Sequence, residues 1–188
     1  MLNKLDFIYA SIADTQATIR AVDVKIGALL VAVLMPFSNL GRICAHFQNI
    51  SQNYNETSAL VLLVLFFGVW ILSIITLICG LSAIDNPAKH IVNSENYKGS
   101  FYGGNLYNFG ILDCFLNRSV IKANKDVSTF ELDIPDNKNK IEGELAFEQM
   151  KLIYIRDAKF HRLKWGINFA SIWFALGLTS YVISKMNN

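Results

Sequence analysis

The sequence predicts an all-α membrane protein with three transmembrane helices and a mainly helical cytoplasmic segment. Only 17% of its residues are charged, and 53% are hydrophobic, whereas an average soluble domain has about 25% charged residues. The shortage of charge is confined to three long stretches, and a helix needs about 20 apolar residues to cross the hydrocarbon core. The basic residues cluster between the second and third stretches, which indicates a segment that stays in the cytoplasm.

The second and third spans are the clearest. Residues 59–84 contain no charged residue and exceed the minimum length, so some tilt is expected. Residues 165–184 contain one strongly polar residue, Asn168, and several small residues. Trp165 and Tyr181 lie near the two ends, as expected for aromatic residues at membrane interfaces. The small residues favour close contact between this helix and another.

The first span, predicted over about 22–43, is interrupted by Pro36 and contains Arg42. A transmembrane helix tolerates proline with a kink, and Arg42 would extend its charged group to the far interface. The alternative is a re-entrant hairpin that turns at Pro36 and leaves on the side where it entered.

The distribution of lysine and arginine predicts the orientation. Three of them precede or begin the first span, the loop at about 46–58 has none, and residues 85–164 contain twelve. Because cytoplasmic loops carry the excess of basic residues, the N-terminus is expected in the cytoplasm and the C-terminus outside. The predicted organisation is a cytoplasmic amphipathic helix at 1–21, a transmembrane hairpin at 22–84, a cytoplasmic sensing segment at 85–164 and a third span at 165–184.

Several cytoplasmic elements follow from periodicity and turn residues. Apolar residues spaced by three, four and seven predict an amphipathic helix before the first span. It packs on the protein's own cytoplasmic segment, contributes to a ligand-sensing surface, or does both. A helix is predicted at 115–124, a short extended segment or loop at 128–134, and one continuous helix from about 143 to about 184.

Asp23 and Lys25 lie where the first helix meets the bilayer. Residues two apart point to different faces of a helix, so these two are not expected to pair with each other. They either anchor the helix at the interface or contact a partner helix or ligand.

Glycine and aromatic residues dominate residues 98–110, which lack Walker and Rossmann patterns. Tyr102, Tyr107 and Phe109 either stack on a nucleobase or pack at a membrane-proximal turn.

Recognised catalytic and metal-binding patterns do not occur in the sequence, so we expect neither an enzyme nor a cofactor or metal site. The three cysteines are too few and too scattered for a disulfide framework. A net charge of +2 is too small to indicate nucleic-acid binding.

Four short elements resemble the transmembrane effectors of the Pycsar anti-phage defence systems. They are AVDVKIGALL (21–30), Asp85-Asn86-Pro87, NLYNFG (105–110) and EQMKLIYIRDAKFHRL (148–163). Their order and spacing relative to the spans carry the resemblance. It makes the following residues candidates for ligand binding or gating: Asp23, Lys25, Asn105, Tyr107, Phe109, Gln149 and Lys159.

The resemblance implies a multi-pass protein of the bacterial inner membrane that senses a cyclic nucleotide made by a cognate cyclase. Binding on the cytoplasmic side would rearrange or assemble a homo-oligomer in the lipid bilayer, disrupt the membrane and cause abortive infection. The usual signals of the family are cyclic pyrimidine mononucleotides. The alternatives are a holin-like membrane disruptor that needs no ligand and a structural subunit of a membrane complex.

Overall fold

The computed structural model describes residues 3–53, 55–84, 86–102, 106–107 and 123–185. Within these residues the chain forms helices and no strand, which confirms the all-α prediction. The α-helices of the described residues are α1 (Lys4–Leu34), α2 (Leu40–Asn53), α3 (Glu56–Leu81), α4 (Val127–Asp133) and α5 (Lys138–Lys185).

Three helical stretches in the described part of the chain are long and apolar enough to cross a membrane. They are Lys4–Gln52, Glu56–Leu81 and Lys138–Lys185. Each of the three predicted spans overlaps one of these stretches, so the prediction of three membrane-length helices is confirmed.

The contacts divide the chain into two compact units. Unit 1 comprises Met1–Gln16 and Asp85–Tyr154, and unit 2 comprises Ala17–Ile84 and Ile155–Asn188. Helices α1 and α5 each contribute residues to both units.

Pro36 changes the geometry of the first span without ending its helical structure. Helix α1 ends at Leu34, and a 3₁₀ helix at Met35–Asn39 leads directly into α2. Proline has no N–H to donate and its ring clashes with the preceding turn, so the α-helical hydrogen bonding is replaced locally. The helical structure continues to Asn53, past residue 43, where the first span was predicted to end.

Aromatic rings form the centre of unit 2. Trp70 of α3 stacks on Trp173 of α5, with ring centroids 5.5 Å apart, and Phe66 contacts both. The indole Nε1 of Trp70 donates to the carbonyl oxygen of Val33 at 2.8 Å. Because a buried indole N–H needs an acceptor, this bond fixes α1 against α3 at that depth.

Helix α3 ends earlier than the second span was predicted to end. Its last residue is Leu81, whereas the second span was predicted to continue to residue 84. Asn86 has a left-handed backbone, with φ of 43°, and the chain then enters a 3₁₀ helix at Pro87–His90. The proline therefore starts the next element and does not stop α3.

The core of unit 1 includes the predicted N-terminal amphipathic helix, which packs on α5. Ile8 and Ile12 of α1 are buried against Leu145 of α5. The polar side of α1 contributes an ion pair at the edge of this core, between Lys4 Nζ and Glu142 Oε2 at 2.7 Å.

One prediction for unit 1 is wrong. Residues 128–134 were expected to be extended or a loop, but 128–133 form most of helix α4 and Ile134 follows it with an extended backbone. Asp126 caps this helix, since its carboxylate accepts the N–H of Thr129 at 2.8 Å, and this local bond outweighs the β propensity of the segment.

Two further helices were predicted in the region from 115 onward. The long helix is confirmed as α5, which begins at Lys138, earlier than predicted. Residues 115–122 of the other predicted helix lie outside the described residues.

Candidate functional site

Two of the candidate residues, Asp23 and Lys159, form an ion pair in unit 2. Lys159 Nζ donates to Asp23 Oδ1 at 2.6 Å and to the carbonyl oxygen of Gly80 at 3.0 Å. The Lys159 side chain is 8% exposed and that of Asp23 is 37% exposed. A buried ammonium needs such partners, because burial without them carries a large desolvation penalty. One side chain therefore connects α1, α3 and α5.

A second cation reinforces this arrangement at the end of α3. Arg162 Nη1 donates to the carbonyl oxygen of Cys79 at 2.6 Å. The last carbonyls of a helix have no partner within it and form the negative end of the helix dipole. Lys159 and Arg162, three residues apart on α5, supply positive charge there. We did not predict Arg162, although its spacing from Lys159 is a signal of a shared face.

Glycine allows the close packing at this point. A Cβ added at Gly80 would lie 2.9 Å from Ile26 Cδ1 and 3.7 Å from Arg162 Cβ. The absence of a side chain lets α1 and α5 approach the end of α3, so that Lys159 reaches the Gly80 carbonyl.

Lys25 is exposed and makes no ion pair with a described residue. The observed ion-pair partner of Asp23 is Lys159.

Gln149 contributes to the packing of α5 on α1 within unit 1. Its Nε2 donates to Ser11 Oγ, which joins α5 to α1 beside the buried Ile8 and Ile12. Gln149 is partly buried by this contact.

The NLYNFG element is only partly described. Tyr107 is 50% exposed. Beside it, the carbonyl oxygen of Leu106 accepts the N–H of Asn124 at 2.8 Å. Asn105 and Phe109 lie outside the described residues.

A cavity of about 400 Å³ lies within unit 1. Its volume falls in the range of sites for small molecules, about 300–1,000 Å³. The lining is mainly apolar and aromatic: Tyr9, Ser100, Phe101, Phe130, Ile134, Pro135, Ile141, Glu144 and Leu145. Of the predicted site residues, the described ones (Asp23, Lys25, Tyr107, Gln149 and Lys159) do not line it. The predicted element at 98–110 contributes Ser100 and Phe101, and the predicted N-terminal amphipathic helix contributes Tyr9.

Glu144 holds one wall of this cavity in place. Its carboxylate accepts the backbone N–H groups of Lys98, Gly99 and Ser100 at 2.8, 2.9 and 3.3 Å. Gly99 has a positive φ of 65°, which few other residues adopt at low cost. Three consecutive backbone N–H groups that point to one place form a turn that binds an anion, and here that anion is the Glu144 carboxylate of α5.

Next to this turn lies a buried carboxyl group, Glu148, whose side chain is 1% exposed. Burial raises the pKa of Glu148, and the Lys151 ammonium 2.6 Å away acts in the opposite direction. Lys151 also lies 4.7 Å from the centre of the Phe147 ring, which stacks on Tyr97. These contacts hold the segment before Ser100 against α5.

Asp133, at the end of α4, is the meeting point of two lysines. Lys98 Nζ and Lys125 Nζ donate to its two oxygens at 2.7 and 2.6 Å. The hydrogen bonds from Lys125 and Lys98 lower the pKa of Asp133 to about 2. These two ion pairs hold α4 in position, and Phe130 of α4 lines the cavity.

Among the described residues, no group of three or more His, Cys, Asp or Glu side chains is arranged to hold a metal ion. Comparisons with protein-family models, with curated proteins and with solved structures found no match to this chain.

Proposed function

We propose that this chain is a cyclic-nucleotide-gated membrane effector of bacterial anti-phage defence, which disrupts the inner membrane on ligand binding and causes abortive infection. One observation carries the proposal. Helix α5 lines the aromatic cavity with Ile141, Glu144 and Leu145, and continues without a break through the third membrane-length stretch. A ligand in the cavity would therefore act directly on a helix that enters the membrane.

The chemistry of the cavity supports a nucleotide as the ligand. Tyr9, Phe101 and Phe130 contribute rings to its lining, and stacking on an aromatic ring stabilises a bound base by about 1–3 kcal/mol. A phosphodiester requires cations or N–H donors. We propose that Lys98, two residues before Ser100 of the lining, supplies this cation. Lys98 would then leave its ion pair with Asp133 and bind the phosphate.

The Asp23–Lys159–Gly80 contact is the proposed responding element in unit 2. It is a discrete arrangement of one buried cation with two acceptors, so it is either made or broken. A ligand biases such an element only if it binds one arrangement more tightly. We propose that ligand binding changes the position of α5 and breaks or exchanges this contact.

The proposed setting is the bacterial inner membrane, with the N-terminus and unit 1 in the cytoplasm, where a cyclase product is available. Three helices of one chain enclose no wide pore, so membrane disruption requires a homo-oligomer. The cavity favours a ligand-gated effector over a holin-like disruptor, because constitutive disruption has no use for a small-molecule site.

The test is ligand binding and dye release with full-length protein in detergent and in liposomes. Cyclic pyrimidine and purine mononucleotides are titrated by calorimetry, and the one that binds is expected to release an encapsulated dye. Phe101→Ala should weaken binding by about five- to 150-fold, the loss of one stacking contact. Phe160→Ala is the matched control, because both rings are 42% exposed and Phe160 does not line the cavity.

The other outcomes are equally informative. Absence of both binding and dye release would overturn the proposal. Dye release that needs no nucleotide would favour the holin-like alternative, and binding that Phe101→Ala and Phe160→Ala weaken equally would exclude this cavity as the site.

A further inference from the structure

Unit 2 has a cavity of about 300 Å³ between α2, α3 and α5. Its volume is at the lower end of the range for small-molecule sites. The lining includes Arg42, Ile43 and His46 of α2, Phe66 of α3, and Gly177 and Tyr181 of α5. The wall is thus mainly apolar and aromatic, with a permanently charged guanidinium on it.

Arg42 has no anionic partner among the described residues. Its side chain is exposed and makes neither an ion pair nor a hydrogen bond with them. It belongs to the first membrane-length stretch, Lys4–Gln52. A guanidinium does not lose its proton in proteins, so at membrane depth it needs either water or an anion. The cavity therefore presents an unsatisfied positive charge beside an apolar surface.

Ring contacts fix the wall of the cavity. The Nε2 atom of His46 lies 3.2 Å from the carbonyl oxygen of Ser180, and the imidazole stacks on Tyr181 with ring centroids 6.3 Å apart. Because a carbonyl oxygen only accepts, Nε2 carries the hydrogen and donates it. Phe47 and Phe66, which also line the cavity, are buried with their centroids 5.4 Å apart. These contacts join α2 to α3 and to α5, so the cavity is a packed feature of unit 2.

The cavity lies near one end of the third membrane-length stretch. The rise from Trp165 to Tyr181 along α5 is about 24 Å, and the hydrocarbon core of a bilayer is about 30 Å thick. With Trp165 at one interface, Tyr181 lies within about 6 Å of the other. An extended arginine side chain spans such a distance and keeps its charged group among the head groups.

The protein itself supplies little negative charge at this end of unit 2. Residues 24–84 and 158–188 contain one acidic side chain, that of Glu56 at the start of α3. A second copy of the chain could therefore offer Arg42 at most this one carboxylate from these segments. Every phospholipid of a bilayer, in contrast, places a phosphate at the interface. The balance of charge favours a lipid as the source of the anion.

We propose that this cavity binds the phosphate of a membrane phospholipid, with Arg42 as its cation and the first part of an acyl chain against Phe66 and Tyr181. Arginine pairs with a phosphate through two parallel N–H···O bonds, and this geometry adds specificity to the charge. The apolar wall suits the chain that follows the head group. The inference rests on the proposed membrane insertion, and does not depend on the nucleotide.

Native mass spectrometry of the full-length protein in detergent measures the retained lipid. Dioleoyl phosphatidylglycerol is titrated in parallel with dioleoylglycerol, which has the same chains and no phosphate. We expect phosphatidylglycerol to be retained at least about fivefold more tightly, the effect of one cation near a phosphate surface. Equal retention of the two lipids would overturn the inference. Inorganic phosphate at millimolar concentration should not displace the lipid, and displacement would show that the site takes the free anion instead.

Arg42→Gln tests the cation. It is expected to weaken retention of phosphatidylglycerol at least about fivefold and to leave retention of dioleoylglycerol unchanged. Lys185→Gln is the matched control, because it removes another exposed cation from the same end of unit 2 that does not line the cavity. Equal losses in the two variants would show general attraction to an anionic lipid and would overturn the site.

Tyr181→Ala tests the apolar wall. Its side chain is 56% exposed and lines the cavity, whereas Phe174 on the same helix is 62% exposed and does not. Tyr181→Ala should weaken retention of phosphatidylglycerol, and Phe174→Ala, the matched control, should change it by less than about twofold, since it removes only ordinary lipid contact. A loss of the same size in both variants would contradict binding in this cavity.

Two parallel measurements separate this inference from its alternatives. Nucleotide binding and dye release are followed with the same preparations. Wild-type protein that binds nucleotide and releases dye, but retains no phosphatidylglycerol, contradicts this inference alone. Retention of the lipid that depends on Arg42 supports it even where no nucleotide binds. Dimers that are lost equally in Arg42→Gln and Glu56→Gln, without retained lipid, would assign Arg42 to a second copy and overturn the inference.

Discussion

Lys159 Nζ lies 2.6 Å from Asp23 Oδ1, across 136 residues of sequence, and 3.0 Å from the carbonyl oxygen of Gly80. Two features make this pair more than an anchor at an interface. The lysine is buried, and its second acceptor belongs to the C-terminal turn of α3. The stability of unit 2 is therefore expected to depend on both partners.

Lys159→Met should destabilise the protein by about 3 kcal/mol, near the lower end for a broken buried pair, because it leaves Asp23 and the Gly80 carbonyl without their donor. The lower end applies because Asp23 is 37% exposed and water reaches it. Unfolding in detergent, followed by circular dichroism, measures the loss. Lys164→Met on the same helix, where the lysine is exposed, is the control. Equal losses in the two variants would show that the ion pair contributes nothing specific. Adding Asp23→Asn to Lys159→Met should recover part of the stability.

Gly166→Ala should destabilise unit 2 by about 1–3 kcal/mol, the usual effect of overpacking. The new Cβ would lie 2.6 Å from Leu77 Cδ2 and 3.0 Å from Leu77 Cγ, so α3 and α5 would have to separate or Leu77 would have to change rotamer. Gly68→Ala in α3 is the control, since nothing lies within 4 Å of its Cβ position. It should be neutral or slightly stabilising through helix propensity. The same detergent unfolding measures both, and a Gly166→Ala protein as stable as Gly68→Ala would contradict the close packing.

The sequence predicted the membrane-length helices and the continuous α5, because hydropathy and helical periodicity are local properties of a segment. It also singled out Asp23 and Lys159 individually. Their pairing was not predictable, since it depends on how α1 and α5 pack around α3.

The cavity was not predictable for the same reason. Its lining comes from α1, residues 100–101, α4, residues 134–135 and α5, and no single segment carries a pattern for it. Helix α4 was missed because Val127, Thr129, Phe130 and Ile134 have high β propensity. The cap from Asp126 was the better local signal.

Glu144→Ala should loosen the turn at Lys98, Gly99 and Ser100, because three backbone N–H groups lose their acceptor. Each buried donor left without a partner costs about 1–3 kcal/mol, and solvation at this partly exposed turn lowers that figure. Hydrogen–deuterium exchange measures the effect as faster exchange of these three amides. Glu142→Ala is the matched control, since Glu142 pairs with the exposed Lys4 and such pairs contribute little. Exchange that is unchanged in Glu144→Ala would show that the turn is held by other contacts.

Acidification should release α4 from Lys98 and Lys125. The pKa of Asp133 is about 2 in the folded protein, below its ordinary value of 3.8. A lowered pKa means that the carboxylate stabilises the fold above the ordinary value, and that this stabilisation disappears as the pH falls toward the folded value. Unfolding of the wild type should therefore become easier between pH about 4 and about 2, and Asp133→Asn should lack this part of the pH dependence. Asp136→Asn is the control, because Asp136 is 89% exposed and lies 3.7 Å from Lys140. The difference in unfolding midpoint between wild type and Asp133→Asn, measured across this pH range, should shrink toward zero at the acid end; a constant difference would contradict the role of Asp133 as the ionised partner of the two lysines.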